Sequence, residues 1–149
     1  MHLVSKIIIQ KPLDEVWKFF QDPYSLAKWD HSVETVVPTT KGSVRLGYTF
    51  DTIAPVKPGS TKEGMRLHYE IIEFEPRKQV KIALKDSSTF KEAVWQMEFE
   101  VTPEGTQVAC HVVFTPWLRY LFLVPLMWVN RRAIFRDLGY LKEELEKPQ

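Results

Sequence analysis

Hydrophobic and polar residues alternate with a period of two through most of the middle of the chain, which is typical of strands that bury one face. The opening segment is a run of β-branched residues and predicts a strand as well. The seven predicted strands cover residues 3–10, 33–37, 44–51, 66–74, 80–85, 95–101 and 108–115. Short turns join most consecutive strands, so the sequence predicts an antiparallel meander that is apolar on one face only.

The alternation slips once, in the fourth predicted strand. Leu67, Tyr69 and Ile71 share one face, whereas Ile72 and Phe74 fall on the opposite face unless one extra residue is accommodated. The slip predicts a β-bulge near Ile71 and Ile72, which would bend the strand and help to curve the sheet.

Three segments have the spacing of helices. Two short helices are predicted directly after the first strand, over residues 13–20 and 24–29, and one long helical segment over residues 117–146. The expected buried face of the first helix consists of Val16, Phe19 and Phe20, with Trp17 at its edge. The apolar stripe in the second half of the long segment consists of Ile134, Leu138, Leu141 and Leu145.

The first half of the long segment, residues 120–129, is apolar nearly all round. A helix without a polar face is expected to lie against another surface, and Pro125 could kink it so that its halves bend around the sheet. A helix that crosses a curved sheet encloses an apolar space. The pattern therefore predicts a protein that binds hydrophobic small molecules.

The apolar face of the sheet, together with two positions on the long helix, supplies the candidate ligand-binding residues. They are Tyr48, Phe50, Leu67, Tyr69, Trp95, Met97, Phe99, Val112, Phe114, Met127 and Arg131. The sheet residues among them could instead fill the space solidly as a core, because both arrangements bury them. The hydroxyls of Tyr48 and Tyr69 are the expected polar contacts for a ligand.

Arg131 and its neighbour Asn130 come next along the buried stripe of the long helix. A buried arginine needs a partner, which the carboxylate or carbonyl of a ligand could provide. In the alternative interpretation, Arg131 and Arg132 extend to solvent at the end of the apolar run.

Composition excludes several classes of function. The 149 residues carry a formal net charge of +1, from 20 basic and 19 acidic side chains, so no long-range field attracts nucleic acid. The length suits one domain over residues 1–149. The single cysteine and the lack of signal-peptide features in the first residues favour a cytoplasmic location. The apolar run 120–129 is too short to span a bilayer, but peripheral membrane contact stays open.

Motifs for catalysis are weak. The histidines and the cysteine lack metal-ligand spacing and no cofactor motif occurs, so neither a metal nor a cofactor is expected. Cys110 lies on the apolar face of its strand and is expected to be a core residue with a raised pKa. His68 shares a polar face with Arg66 and Glu70, where a surface charge cluster is favoured over acid–base chemistry. No catalytic residue is assigned.

Six features follow one another along nearly the whole chain. They are residues 7–17 (IIIQKPLDEVW), 22–29 (DPYSLAKW), the glycines 42 and 47, 72–76 (IEFEP), 102–106 (TPEGT) and 138–145 (LGYLKEEL). Each is weak alone, but in this order they make the chain similar to the START-like superfamily. The closer resemblance is to its bacterial polyketide cyclase/dehydrase and lipid transport branch, also called SRPBCC proteins.

The resemblance implies a helix-grip fold of the α+β class. A seven-stranded antiparallel sheet would curve around the C-terminal helix and leave an apolar pocket between them. Members of the superfamily bind lipids, sterols, polyketides, plant hormones or quinones, some catalyse cyclisation or dehydration, and others regulate chaperones or are toxin-like. In this fold His31 would border the pocket mouth, either as a ligand contact or as a surface residue.

Three functions are consistent with these features. The leading hypothesis is a binder or carrier of a lipid, a quinone or a polyketide-like aromatic, without catalysis. The second is a cyclase or dehydratase that works without a metal. The third is a peripheral membrane or protein-interaction module that uses the apolar start of the long helix, with Arg119, Arg131 and Arg132 meeting anionic headgroups.

Overall fold

Seven strands form one antiparallel sheet in the computed structural model, which describes residues 1–148 and, for Ile134, only the backbone. The strands are β1 (His2–Ile9), β2 (Thr35–Pro38), β3 (Thr49–Ile53), β4 (Arg66–Glu75), β5 (Gln79–Lys85), β6 (Phe90–Thr102) and β7 (Gly105–Pro116). They are arranged in the order β1-β7-β6-β5-β4-β3-β2, so the first strand pairs with the last. The predicted antiparallel sheet is confirmed.

The helices lie at the two places that the sequence predicts. After β1 come α1 (Leu13–Gln21), a 3-10 turn (Pro23–Ser25) and α2 (Leu26–Trp29). After β7 come a second 3-10 turn (Leu118–Tyr120), α3 (Leu123–Val129), α4 (Arg131–Ile134) and α5 (Arg136–Glu146). The C-terminal helical region packs on the sheet, so the α+β helix-grip fold is confirmed.

The predicted bulge lies where the alternation of side chains slips. Ile71 of β4 pairs with Ile82 of β5, but the next paired residue is Glu73, opposite Lys81. The extra residue returns Phe74 to the inner face, where it packs against the core. The bulge is therefore confirmed within one residue.

The third predicted strand begins later than expected. Residues 44–48 form no strand, and β3 starts at Thr49. Gly47 has a φ of +82°, which a non-glycine residue rarely adopts, and the Tyr48 amide donates to the Arg45 carbonyl in a turn. Alternation alone could not reveal this turn, because Val44 and Tyr48 still pack inward.

Trp17 was expected at the edge of the first helix and is instead one of its most buried residues. It is 4% exposed, and its neighbour Val16 is fully buried. Phe19 and Phe20, expected to be buried, are half-buried. Trp17 is buried because its ring packs against Phe74 of β4 and Phe99 of β6.

The C-terminal region is divided by two residues outside the helical conformation, Asn130 and Phe135. The Asn130 amide side chain donates to the Leu126 carbonyl at 2.8 Å and ends α3. Pro125 lies in the first turn of α3, where its missing N–H breaks no helical hydrogen bond, so it does not kink the helix. In α5, Leu138 and Leu141 are buried and Leu145 packs against the core. The side chain of Ile134, also assigned to this stripe, lies outside the described residues.

The first half of the C-terminal helical region, residues 117–129, leaves many of its apolar side chains exposed to solvent. Tyr120, Leu123, Val124 and Met127 are half-buried, but seven of its large apolar side chains are 46–81% exposed. They are Trp117, Leu118, Leu121, Phe122, Leu126, Trp128 and Val129. We call residues 117–129 the apolar segment. These exposed side chains do not lie against another surface of this chain, as a cover over the sheet would require, whereas Met127 and α5 do pack against the core.

Candidate functional site

The helices cover the inner face of the sheet unevenly. At the end where β4 leads into β5, α1 fills the space with aromatic rings. The ring centroid of Trp17 lies 5.4 Å from that of Phe74 and 5.5 Å from that of Phe99. Phe20 lies 5.0 Å from Phe99. Rings at these distances are in contact, so this end is closed.

The opposite end, where β5 leads into β6, is only partly covered. Six apolar side chains on the inner face are half-buried there: Leu67, Tyr69, Ile82, Leu84, Phe90 and Trp95. The strand register places Tyr69 opposite Leu84 and Ile82 opposite Trp95, so they share one surface. We call this surface the groove.

Aromatic rings cross the groove and its floor from β3 to β7. Tyr69 stacks on Phe50 at 5.4 Å and meets Trp95 edge-on at 5.7 Å. Trp95 meets Phe114 at 5.5 Å, and Phe114 lies 5.4 Å from Phe90. The series offers both faces and edges of rings, which suits flat aromatic or acyl groups.

The C-terminal region passes over this end of the sheet with few anchors. The Trp117 amide donates to the Thr89 carbonyl at 3.0 Å and its indole N–H donates to the Ser87 carbonyl at 3.4 Å. Met127 of α3 and Phe135 pack against the core. The start of the region is thus tied to the β5–β6 turn, and α3 touches the core through Met127.

Apart from Arg131, the structure divides the candidate ligand-binding residues into two groups. Those that are buried in the core are Tyr48, Phe50, Met97, Phe99, Val112 and Phe114. Those that are half-buried at the groove are Leu67, Tyr69, Trp95 and Met127. Sequence reasoning omitted Ile82, Leu84 and Phe90, although the alternation of β5 already placed the first two on the inner face.

The two tyrosines differ in their surroundings. Burial, together with the charge of Asp30, raises the pKa of Tyr69 to about 12, although a hydrogen bond with Thr52 acts in the opposite direction. Burial also raises the pKa of Tyr48, but the groups that influence it next are Tyr24 and Arg45. The Tyr69 side chain at the groove therefore interacts with Asp30 and Thr52, whereas the Tyr48 hydroxyl lies near Tyr24 of the 3-10 turn before α2.

A small polar cluster of Asp30, His31 and Asp137 lies beside α2, and the charge of Asp30 also acts on Tyr69. Burial and the neighbouring charge of Asp30 raise the pKa of the Asp137 carboxyl, although the His31 amide donates to it at 3.4 Å. The indole nitrogen of Trp29 is buried and has no hydrogen-bond partner among the described residues. These groups could receive the polar end of a ligand.

Three other side chains that the sequence singled out have partners that do not belong to the six groove residues. The His31 ring is exposed and stacks on Tyr140 at 3.8 Å between centroids. The Arg131 guanidinium lies 4.0 Å from the centre of the Trp128 ring and donates to the Trp128 carbonyl. Cys110 is buried, and burial raises the pKa of its thiol to about 12, as expected of a core cysteine.

Outside the groove, a buried carboxylate organises the outer face of β3 and β4. The Asp51 oxygens accept hydrogen bonds from Arg66 Nε at 2.8 Å and from His68 Nδ1 at 2.7 Å. Burial alone would raise the pKa of Asp51, but these hydrogen bonds outweigh it and hold the pKa below its usual 3.8. The sequence grouped Arg66 and His68 correctly and missed Asp51, since the cross-strand pairing of Asp51 with His68 depends on register.

We expect Asp51→Asn to lower the free energy of unfolding by about 1–2 kcal/mol at pH 7, because it weakens two charge-assisted hydrogen bonds. A lowered carboxyl pKa stabilises the fold above the unfolded value, and the stabilisation disappears as the pH falls through the folded value. The deficit of the variant should therefore vanish at pH values well below 3.8. Urea unfolding over a pH series measures it.

The matched control for this prediction is Glu70→Gln, which removes a half-exposed carboxylate from the same face. Its ion pair with Lys85 spans 3.4 Å between partly exposed side chains and should contribute less than about 0.5 kcal/mol. Equal losses in the two variants would contradict a special role for Asp51.

Two depressions mark the surface outside the groove. One, of about 460 Å³, lies on the outer face of the sheet between charged side chains of both signs, including Lys78 and Glu98. The other, of about 560 Å³, lies between Ser88 and residues 117–119. The first is a trough among solvated charges, whereas the second has an apolar lining and adjoins the open end of the groove.

Comparisons with known proteins agree with this geometry. The profile of a family described as "Polyketide cyclase / dehydrase and lipid transport" matches residues 1–146. No protein of curated function matches the chain by sequence.

Solved structures share the fold at low sequence identity. Protein MLL2253 from Mesorhizobium loti superposes with a TM-score of 0.72 at 14% identity, over 100% of this chain and 99% of that chain. Ara h 8.0201 gives a TM-score of 0.74 at 11% identity, over 97% of each chain. The AHSA1-like protein from Aeromonas hydrophila gives 0.68 at 18% identity, over 100% and 98%. These similarities concern the fold alone.

Proposed function

The chain belongs to the polyketide cyclase/dehydrase and lipid transport family, and on that basis we propose that it binds and carries a hydrophobic small molecule in the groove. The observation that carries the proposal is the half-buried apolar surface on the inner face, since the remainder of that face is filled. A well-packed core leaves little such surface on a concave face.

The lining indicates the class of ligand. The series of rings around Tyr69 and Trp95 favours a flat aromatic group or an acyl chain. The polar groups near this lining are few: the Tyr69 hydroxyl and the carboxylate of Asp30, which also acts on Asp137. A lipid, a quinone or a polyketide-like aromatic with one oxygenated end matches this distribution.

We expect Leu84→Trp to weaken the binding of a neutral fluorescent hydrophobe such as N-phenylnaphthylamine by roughly tenfold or more, because the larger side chain occupies the groove. Fluorescence titration measures the apparent Kd. Native mass spectrometry of protein purified from cells should also show a hydrophobic adduct in the wild type that is reduced in the variant.

The matched control is Lys85→Trp, which introduces the same side chain one residue later, on the exposed outer face of β5. This variant should bind the probe within about twofold of the wild type. Thermal unfolding of both variants separates a blocked groove from a damaged fold. Probe binding that survives Leu84→Trp, or falls equally in both well-folded variants, would contradict a ligand site in the groove.

A second candidate function is a cyclase or dehydratase, and the Asp30–Asp137 pair favours it. A carboxyl that keeps its proton to higher pH can act as a general acid beside a bound polyketide-like substrate. The two functions are distinguished by the product. A carrier returns its ligand unchanged, whereas a dehydratase returns it lighter by one water and a cyclase returns an isomer of equal mass that chromatography separates.

A further inference from the structure

The apolar segment has the composition of an interface but is exposed. Leu118, Phe122 and Val129 are 81%, 61% and 70% exposed. A contiguous stretch of large apolar side chains in water is unfavourable and marks an interaction site. The groove does not explain it, since only Met127 of α3 is packed against the core.

Along the sequence, the charged residues within and directly beside the apolar segment are all basic. Between Glu104 and Asp137 the chain contains no acidic residue. The same stretch contains four arginines: Arg119, Arg131, Arg132 and Arg136. No carboxylate of the described residues pairs with the first three. The complementary surface is therefore apolar and negatively charged.

The contacts of the arginines hold their charges beside the apolar side chains. The Arg131 guanidinium covers the Trp128 ring at 4.0 Å, and that of Arg119 lies 5.2 Å from the centre of the Tyr120 ring. Arg119 also donates to the Ser88 carbonyl at 3.5 Å. Tryptophan, tyrosine and arginine together are the side chains that favour the boundary between lipid headgroups and acyl chains.

We propose that residues 117–132 dock the protein on the surface of a bilayer that contains anionic lipid. The apolar side chains would enter the boundary between headgroups and acyl chains while the arginines contact the headgroups. The association is peripheral: within residues 1–148 no helix is both long and apolar enough to cross a bilayer. Docking in this way does not require a ligand in the groove.

A second copy of the chain fits this surface less well. A symmetric dimer through the apolar segment would bring Arg119, Arg131 and Arg132 towards the same arginines of the other copy. Like charges that face each other across an interface are unfavourable, whereas an anionic bilayer offers the opposite sign. The position of the segment adds to this argument, because it begins beside the β5–β6 turn, at the open end of the groove.

Vesicle binding of the full chain tests the proposal. Vesicles of phosphatidylcholine with added phosphatidylserine should sediment the protein and shift its tryptophan emission to the blue, since Trp117 and Trp128 would enter the boundary region. Vesicles of phosphatidylcholine alone should bind it much more weakly. Raising the salt concentration should weaken binding to the anionic vesicles.

Two double variants separate the contribution of the arginine charges to vesicle binding from that of the apolar side chains. Arg131→Glu with Arg132→Glu should weaken binding to the anionic vesicles by roughly tenfold or more. Phe122→Ser with Val129→Ser, at exposed apolar positions, should reduce it by a similar factor. The matched control, Lys18→Glu with Lys78→Glu, changes the net charge equally at exposed positions outside the segment, and its binding should stay within about twofold.

Each other outcome overturns the proposal. If Arg131→Glu with Arg132→Glu and the control Lys18→Glu with Lys78→Glu lose binding equally, the protein responds only to its net charge. No binding to anionic vesicles, with or without a dimer in analytical ultracentrifugation, would show that a bilayer is not the partner. N-phenylnaphthylamine binding of the same variants tests the groove independently, so failure of membrane docking and failure of ligand binding are distinguishable.

Discussion

Leu141→Ala is expected to lower the free energy of unfolding by about 3–4 kcal/mol and the melting temperature by about 10 °C. Leu141 is fully buried in α5 and belongs to the hydrophobic core, where Leu138 of the same helix also packs. Removing its branched end leaves a cavity between α5 and the sheet that rigid neighbours fill only partly. Urea and thermal unfolding measure the loss.

The matched control is Leu126→Ala, the same substitution fifteen residues earlier in the C-terminal region. Leu126 is 54% exposed, so its loss should cost less than about 0.5 kcal/mol. A loss above about 2 kcal/mol at Leu126 would mean that the apolar segment is packed into the fold, and it would contradict the membrane-docking proposal as well.

This contrast shows how far the sequence determines the C-terminal region. The helical spacing of Leu138, Leu141 and Leu145 predicted the face that α5 buries, because a one-sided apolar stripe has only one favourable orientation. Residues 120–129 have no polar face, so the pattern could not choose an orientation. Hydrophobicity shows that a side chain favours an apolar partner, but not whether that partner belongs to the same chain.

The sheet and its curvature were predictable from local patterns. A period of two assigns each side chain to a face, and the single slip at Ile71 located the bulge. The turn at Gly47 was not predictable from the alternation, because it depends on a hydrogen bond from the Gly47 amide to the carbonyl of Ile71 on β4. Contacts between segments distant in sequence leave no periodic signal.

The groove was predictable in composition but not in extent. Alternation placed Tyr48, Tyr69 and Phe99 on the inner face without distinguishing them. Which of them stays half-buried depends on which end of the sheet α1 covers, and that depends on the path of the chain after β1. The closed end is formed by Trp17, which the helical pattern placed at the edge of α1.

Trp17→Ala is expected to cost about 3–5 kcal/mol, because the indole is 4% exposed and contacts the rings of Phe74 and Phe99. Trp128→Ala is the matched control. That indole is 55% exposed and interacts with the Arg131 guanidinium, so its removal should cost less than about 1 kcal/mol. Thermal and urea unfolding of both variants measure the difference.

The Trp17→Ala variant also tests whether this side chain closes the groove. Its removal should leave an apolar cavity at the closed end, of the kind that stays dry and accepts small apolar molecules. Added indole should then raise the melting temperature of the variant and leave that of the wild type unchanged, since a ligand that binds only the folded state stabilises it. Absence of this rescue would mean that Phe20 and its neighbours collapse into the space. The end wall would then be a deformable part of the core, and the length of the groove would be set by α1 as a whole.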